Sequence, residues 1–183
     1  MTENFEKIKK ILENGTKQEK IESLEKLAQS DDPKIIQMII SRLDDEDIQV
    51  RGEAFSSLIL NENNIANYLI QNLSSEKKYV KAFSALILAN RNETQSASEI
   101  IKLTTDESSM VRSCALGALG YLKASQASKA IHNCLSDTSL EVKKSALKAI
   151  IDLGDKLPSQ EIEKIINEKD DELEKLLILA KQN

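Results

Sequence analysis

The sequence predicts an all-α fold, an α-solenoid of about six helix pairs, and three observations predict it. A Val followed by a basic residue recurs as Val50-Arg51, Val80-Lys81, Val111-Arg112 and Val142-Lys143, with Leu173-Glu174 in the next slot, at intervals of 30, 31, 31 and 31 residues. Around each anchor the apolar residues return at helical spacing, as in Val111, Ala115, Leu119 and Leu122. Five Gly, two Pro, no Trp and 3% aromatic residues leave too little turn punctuation for a many-stranded sheet and too little aromatic mass for one large globular core.

Each unit holds a first helix, A, and a second, B, which carries the anchor. A single repeat domain over 1–183 divides into units near 1–31, 32–62, 63–92, 93–124, 125–156 and 157–183. In the first, divergent unit, Thr16 and Glu19 form a capping box before Ile21, which lies 29 residues ahead of Val50. In the second, Asp32-Pro33 supplies a cap and a first-turn proline to an A helix running to Leu43. Further A helices follow at Ile65 to Leu73, Ser98 to Leu103, Ala127 to Leu135 and Glu161 to Ile166, with Ser96 and Glu99 as a second capping box. The B helices begin three residues before the anchor, at Asp47, Ser108, Ser139 and Asp170, whose side chains can accept from a free first-turn N–H; Lys77 is the exception. The closing stretch ELEKLLILA reads as a cap on the core, leaving a monomer.

Charge and composition then narrow the function. The net charge of −5 is spread evenly, which disfavours nucleic acid as a partner. No apolar run approaches the ~18–20 residues that span a bilayer, and MTENFEKIKK lacks the apolar stretch of a signal peptide, so a cytoplasmic protein off the membrane is expected. Cys114 and Cys134 sit at core-like helical positions without metal-ligand spacing and read as small apolar fillers. His132 has no second His and no carboxylate pair near it in sequence, and reads as a partly exposed helix residue. Gly117 and Gly120 lack the context of a phosphate loop and read as points of close helix approach. The acidic run Asp44 to Asp47 lacks the glycine and distal Glu of a calcium loop. No catalytic residue, metal or cofactor is expected.

The phrases LTTDESSMVRSCALGALGYL and LSDTSLEVKKSALKAIIDLGD resemble HEAT repeats of the phycobilisome-lyase-like subtype. The resemblance implies a right-handed superhelix with A helices convex and B helices concave. It also implies a ladder between neighbouring repeats, in which an acidic residue five before the Val pairs with the basic residue after it. The acidic positions are Asp45, Asp106, Asp137 and Glu168 and the basic ones Arg51, Lys81, Arg112 and Lys143; Ser75 breaks the first series and Glu174 reverses the second. The family's hydroxylases use repeated His-Glu pairs, which this sequence does not contain.

At 100° per residue, the arc of each B helix opposite the anchor holds the positions one before, two after, six after and nine after it. Read across the repeats, this arc places Tyr79, Ala82 and Leu86, with Phe83 beside them, then Met110, Ser113 and Gly117, bordered by Lys144 and Lys148. Two readings stay open: an apolar trough for an amphipathic or acidic peptide, or side chains covered by neighbouring helices. The function expected is a non-catalytic scaffold or adaptor that binds another protein or a peptide. A regulatory or accessory subunit of an enzyme or ribonucleoprotein complex is the alternative, and a lyase-like enzyme a remote one.

Overall fold

A computed structural model describes residues 2–165 and 168–180. Among these the regular structure is all helical. Twelve α-helices form six consecutive A/B pairs: α1 (Thr2–Asn14) and α2 (Lys17–Leu27), α3 (Pro33–Ser41) and α4 (Ile48–Leu60), α5 (Ala66–Asn72) and α6 (Lys78–Asn90), α7 (Ala97–Lys102) and α8 (Ser109–Tyr121), α9 (Ser128–Asn133) and α10 (Leu140–Leu153), α11 (Ser159–Ile165) and α12 (Asp171–Ala180). Helices α3, α7 and α9 each tighten into a single 3₁₀ turn before the B helix begins. Ile166, with which the sequence closes the last A helix, lies outside the described residues, as do residues 1 and 181–183 of the expected terminal units.

Two compact units are present, Met1–Ile87 and Leu88–Asn183, with the boundary inside α6. In the first, α2 packs on α4 and α3 on both α4 and α5, around Leu12, Leu24, Ile36, Ile39, Leu43, Val50, Leu58 and Leu69, all essentially without solvent exposure apart from Leu12 and Ile36 at 1%. In the second, α10 packs on α8, α9 and α12, burying Val111, Leu116, Leu119, Ile131, Val142, Leu147, Ile150 and Leu173. Each such side chain contributes about 1.5–3 kcal/mol of transfer free energy. Helices α8 and α10 approach closely at Gly120, where a Cβ would stand 3.0 Å from the Ala149 Cα. Gly117, expected to be a second close approach, has open space where its Cβ would be.

The caps divide into two kinds. Thr16 and Glu19 make the full capping box, Asp32 accepts from the Lys34 N–H at 2.8 Å, and Asp47 accepts from Gln49 and Val50. Asp170 accepts from the Leu173 N–H at 2.9 Å. Ser108 and Ser139 do not cap through their side chains. Their own N–H groups donate to the Asp106 and Asp137 carboxylates two residues back, at 2.9 and 2.8 Å. The expected box at Ser96 does not form either. Its hydroxyl donates to the Glu93 carbonyl at 2.6 Å inside a 3₁₀ turn, so it has turned away from Glu99.

Three B helices end through a residue in the left-handed region, twelve positions after the anchor: Asn92 (φ 56°), Lys123 (φ 49°) and Gly154 (φ 71°). The turn after α4 is one residue shorter and has no such residue. It is closed by amides: Asn61 donates to the Ser30 carbonyl at 2.9 Å, Gln29 to Leu60 at 2.7 Å and Asn63 to Gln29 at 3.0 Å.

Candidate functional site

The first unit concentrates aromatic side chains on its B helices. Phe83 meets Phe55 edge-on, with centroids 5.9 Å apart and planes at 73°, and stacks on Tyr79 at 5.9 Å and 22°. Helical spacing sets this up, since Tyr79 and Phe83 are four residues apart on α6. All three rings are half-buried rather than core. The Arg51 guanidinium lies 4.8 Å and the Lys78 ammonium 5.1 Å from the Tyr79 centroid, within the range of cation–π attraction. Leu86 is half-buried on the same helix, whereas Ala82 is fully buried. Ala82 is therefore a core residue and not a groove contact: with one methyl group it tucks beneath the larger side chains around it, a displacement that a 100° wheel does not contain. Phe55 was not singled out by the sequence, because it stands five after its anchor whereas Phe83 stands three after.

In the second unit, Met110 is half-buried on α8, Gly117 is exposed, and Lys148 is exposed on α10. Ser113 is half-buried, and its Oγ is enclosed with no hydrogen-bond partner among the described residues. Lys144 differs from the free basic border expected of it. Its ammonium sits 3.0 Å from Asp170, 3.1 Å from Glu172 and 3.5 Å from Glu141, with 12% of the side chain exposed. Hydrogen bonds to Asp170 and Glu172 hold its pKa above the usual lysine range, and Lys144 works as a clamp on α12. Tyr121, at the end of α8, is 62% exposed and was not anticipated.

The ladder is seen within each unit. Arg112 grips Asp137 in a bidentate pair, Nε to Oδ2 at 2.7 Å and Nη2 to Oδ1 at 2.8 Å, while its Nη1 donates to the Asp106 and Glu107 carbonyls at 2.8 and 3.1 Å. The Arg112 hydrogen bond holds the Asp137 carboxyl below the usual carboxylate range. Lys143 pairs with Glu168. Asp45 takes Lys20 at 2.8 Å, with Arg42 at 3.6 Å. Burial works to raise the Asp45 carboxyl, but the Lys20 hydrogen bond, the Asp47 N–H and the two cationic charges together hold it low. The sequence missed Lys20 because the basic residue precedes Ile21 instead of following it. Arg51 donates from Nη1 to the Asp45 and Glu46 carbonyls at 2.7 and 3.1 Å. Lys81 is half-buried on α6.

His132 also differs from expectation, since two carboxylates flank it. Glu161 lies 2.5 Å from Nδ1 and Asp155 lies 3.5 Å from Nε2, both brought from the following turn and helix, 23 and 29 residues on in sequence. The three groups tie α9 to the segment that leads into and through α11. No group of three or more His, Cys, Asp or Glu among the described residues is placed to hold a metal ion. Both cysteines are free. Burial, with the Asp137 charge, pushes the Cys134 thiol up to about 11, and burial raises Cys114 as well, so neither supplies a ready thiolate. No helix among the described residues is long and apolar enough to cross a membrane.

Comparison with known proteins matches residues 66–128 to HEAT repeats, and residues 29–52 and 124–150 to the HEAT repeat associated with sister chromatid cohesion. No curated protein matches the sequence. Among solved structures, the complex of CpcE and CpcF of phycocyanin lyase from Nostoc sp. PCC7120 is similar with a TM-score of 0.69 at 16% identity, over 83% of this chain and 100% of that one. A designed armadillo repeat protein in complex with peptide (KR)4 is similar with a TM-score of 0.57 at 19% identity, over 96% and 97% of the two chains. An engineered protein gives 0.55 at 20% identity over 98% and 95%. At these identities the likeness is one of fold, that of the HEAT and armadillo α-solenoids.

Proposed function

We propose that this protein, a chain of HEAT repeats, is a non-catalytic scaffold that receives a segment of a partner protein on the faces of its B helices. One observation carries the reading. Three of the six Phe and Tyr residues in the chain gather at Phe55, Tyr79 and Phe83 and stay half-exposed, although rings of that size stabilise a fold most when buried. Leu86 extends this patch along α6, and in the second unit Met110, Ser113, Gly117 and Lys148 form a corresponding one. Folds of this kind are typical of interaction scaffolds, and the designed armadillo relative was solved with a peptide. The proposal includes a cytoplasmic monomer that works without nucleic acid, membrane or cofactor.

A second reading, a subunit that adjusts the activity of a bound enzyme, is favoured by the likeness to the CpcE–CpcF lyase complex. It uses the same faces. Affinity purification of wild type beside Tyr79→Ala and Phe55→Ala, each checked for an unchanged helical spectrum, tests the scaffold. The expected result is a defined partner set that both substitutions deplete. Partner sets indistinguishable from wild type refute it.

A further inference from the structure

The ladder itself points to the chemistry of the partner. Arg51 and Arg112 are anchored in the same way, each with Nη1 donating to the carbonyls six and five residues before it. For Arg112 the remaining edge, Nε with Nη2, takes both oxygens of Asp137. For Arg51 the equivalent acidic slot is Ser75. The equivalence is structural as well as numerical, because the Ser75 Oγ accepts from the Lys77 N–H at 3.2 Å as Asp106 and Asp137 accept from the residues two after them. Serine thus keeps the turn-forming acceptor of a ladder aspartate and lacks its charge.

Among the described residues no carboxylate lies within ion-pair distance of Arg51. Acids close to it in sequence have other partners or lie in solvent: Asp45 holds Lys20 and Arg42, Asp44 faces Lys77 at 3.6 Å, Glu53 accepts from Ser57, and Glu76, beside Ser75, is exposed. Arg51 is half-buried, and its guanidinium rests on the Tyr79 ring at the end of the aromatic row, with Lys78 adding a second cation. A guanidinium held in a fixed orientation, with one two-donor edge unfilled, is matched by a carboxylate rather than by a neutral or cationic group.

We infer, resting on the scaffold reading above, that the partner segment inserts an Asp or Glu side chain into the vacant ladder slot against Arg51 and lays an adjoining apolar residue on Tyr79, Phe83 and Phe55. The partner supplies the rung that Ser75 lacks. This is an acidic, amphipathic peptide, opposite in sign to the (KR)4 peptide of the designed armadillo relative.

The test uses the full chain and two peptides capped at both ends, one with Glu beside Leu and Phe and one with Gln in place of each Glu, followed by NMR of the arginine Nε–Hε signals. The Glu peptide should bind about tenfold tighter at low salt, shift the Arg51 signal, and lose its advantage as salt rises. Arg51→Gln should equalise the two peptides. So should Ser75→Asp, which fills the slot from within the chain and should also raise the melting temperature, so the loss cannot be ascribed to misfolding. The inference is overturned if the peptides bind equally to wild type, if neither binds, if Ser75→Asp leaves the preference intact, or if only an uncapped peptide with a free terminal carboxylate binds. Partner capture that depends on Tyr79 but not on Arg51 would leave the scaffold standing and remove the acidic anchor alone.

Discussion

Replacing Asp137 with Asn probes the ladder where its geometry is most complete. The carboxylate receives two charge-assisted hydrogen bonds from Arg112, at 2.7 and 2.8 Å, between side chains 14% and 12% exposed, and a third bond from the Ser139 N–H. Asn keeps an acceptor for Ser139 and one for Arg112, so the change removes the charge and one strong bond. At about 1.5–3 kcal/mol for a hydrogen bond to a charged group, the loss should be about 2 kcal/mol. The folded pKa of Asp137 is depressed, so its contribution is fully present above the unfolded value, near ~3.9, and disappears as pH falls through the folded one. Urea unfolding followed by circular dichroism should therefore show the full deficit at pH ~7 and a smaller one at pH ~3, below the unfolded-state value, where protonation of the unfolded chain already offsets part of the wild-type advantage. A cycle with Arg112→Met should give a coupling of about 1–2 kcal/mol. A deficit below about 0.5 kcal/mol at neutral pH, the range of a surface pair, or an equal deficit at both pH values, refutes the assignment.

Two further predictions concern backbone and packing. Lys123→Gly should stabilise the protein by about 0.5–1 kcal/mol in the same unfolding assay, because Lys123 holds φ at 49°, where a Cβ is unfavourable; a loss of stability would contradict that. Gly120→Val should destabilise by about 2–3 kcal/mol, since its Cβ meets Ala149 at 3.0 Å. Gly117→Ala, with open space, should be neutral or slightly stabilising through helix propensity. Equal effects at the two glycines would show that the α8–α10 approach is not as close as described.

Much of this architecture was legible in the sequence, because the helix-pair units repeat local signals. The anchors Val50, Val111 and Val142 are buried as the spacing predicts, and Thr16, Asp32, Asp47 and Asp170 cap as their positions predict. What was not legible depends on contacts between elements 20 to 30 residues apart. Nothing local tells Lys144 that Asp170 and Glu172 will close on it, or His132 that Asp155 will arrive from the turn after α10 and Glu161 from the next repeat. The serine positions were also misread: Ser108 and Ser139 make no side-chain cap bond, and their own N–H groups donate to Asp106 and Asp137 two residues back. Phe55 escaped notice because two rings can meet across helices from unequal offsets relative to their anchors.

The short turn after α4 has a consequence for how such a chain can be recombined. From the anchor to the start of the next A helix the count is 17 residues after Val80, Val111 and Val142, where a left-handed residue closes the turn, and 16 after Val50, where amides close it. Segments cut at equivalent points in the three longer turns share one spacing and a left-handed closing residue, so rejoining them leaves the length of the joint unchanged. A block ending at Asn61 differs, since its joint depends on Gln29 and Ser30 of the preceding repeat. Lengthening the array by engineering should therefore begin downstream of α6, where the spacing of the joints is constant.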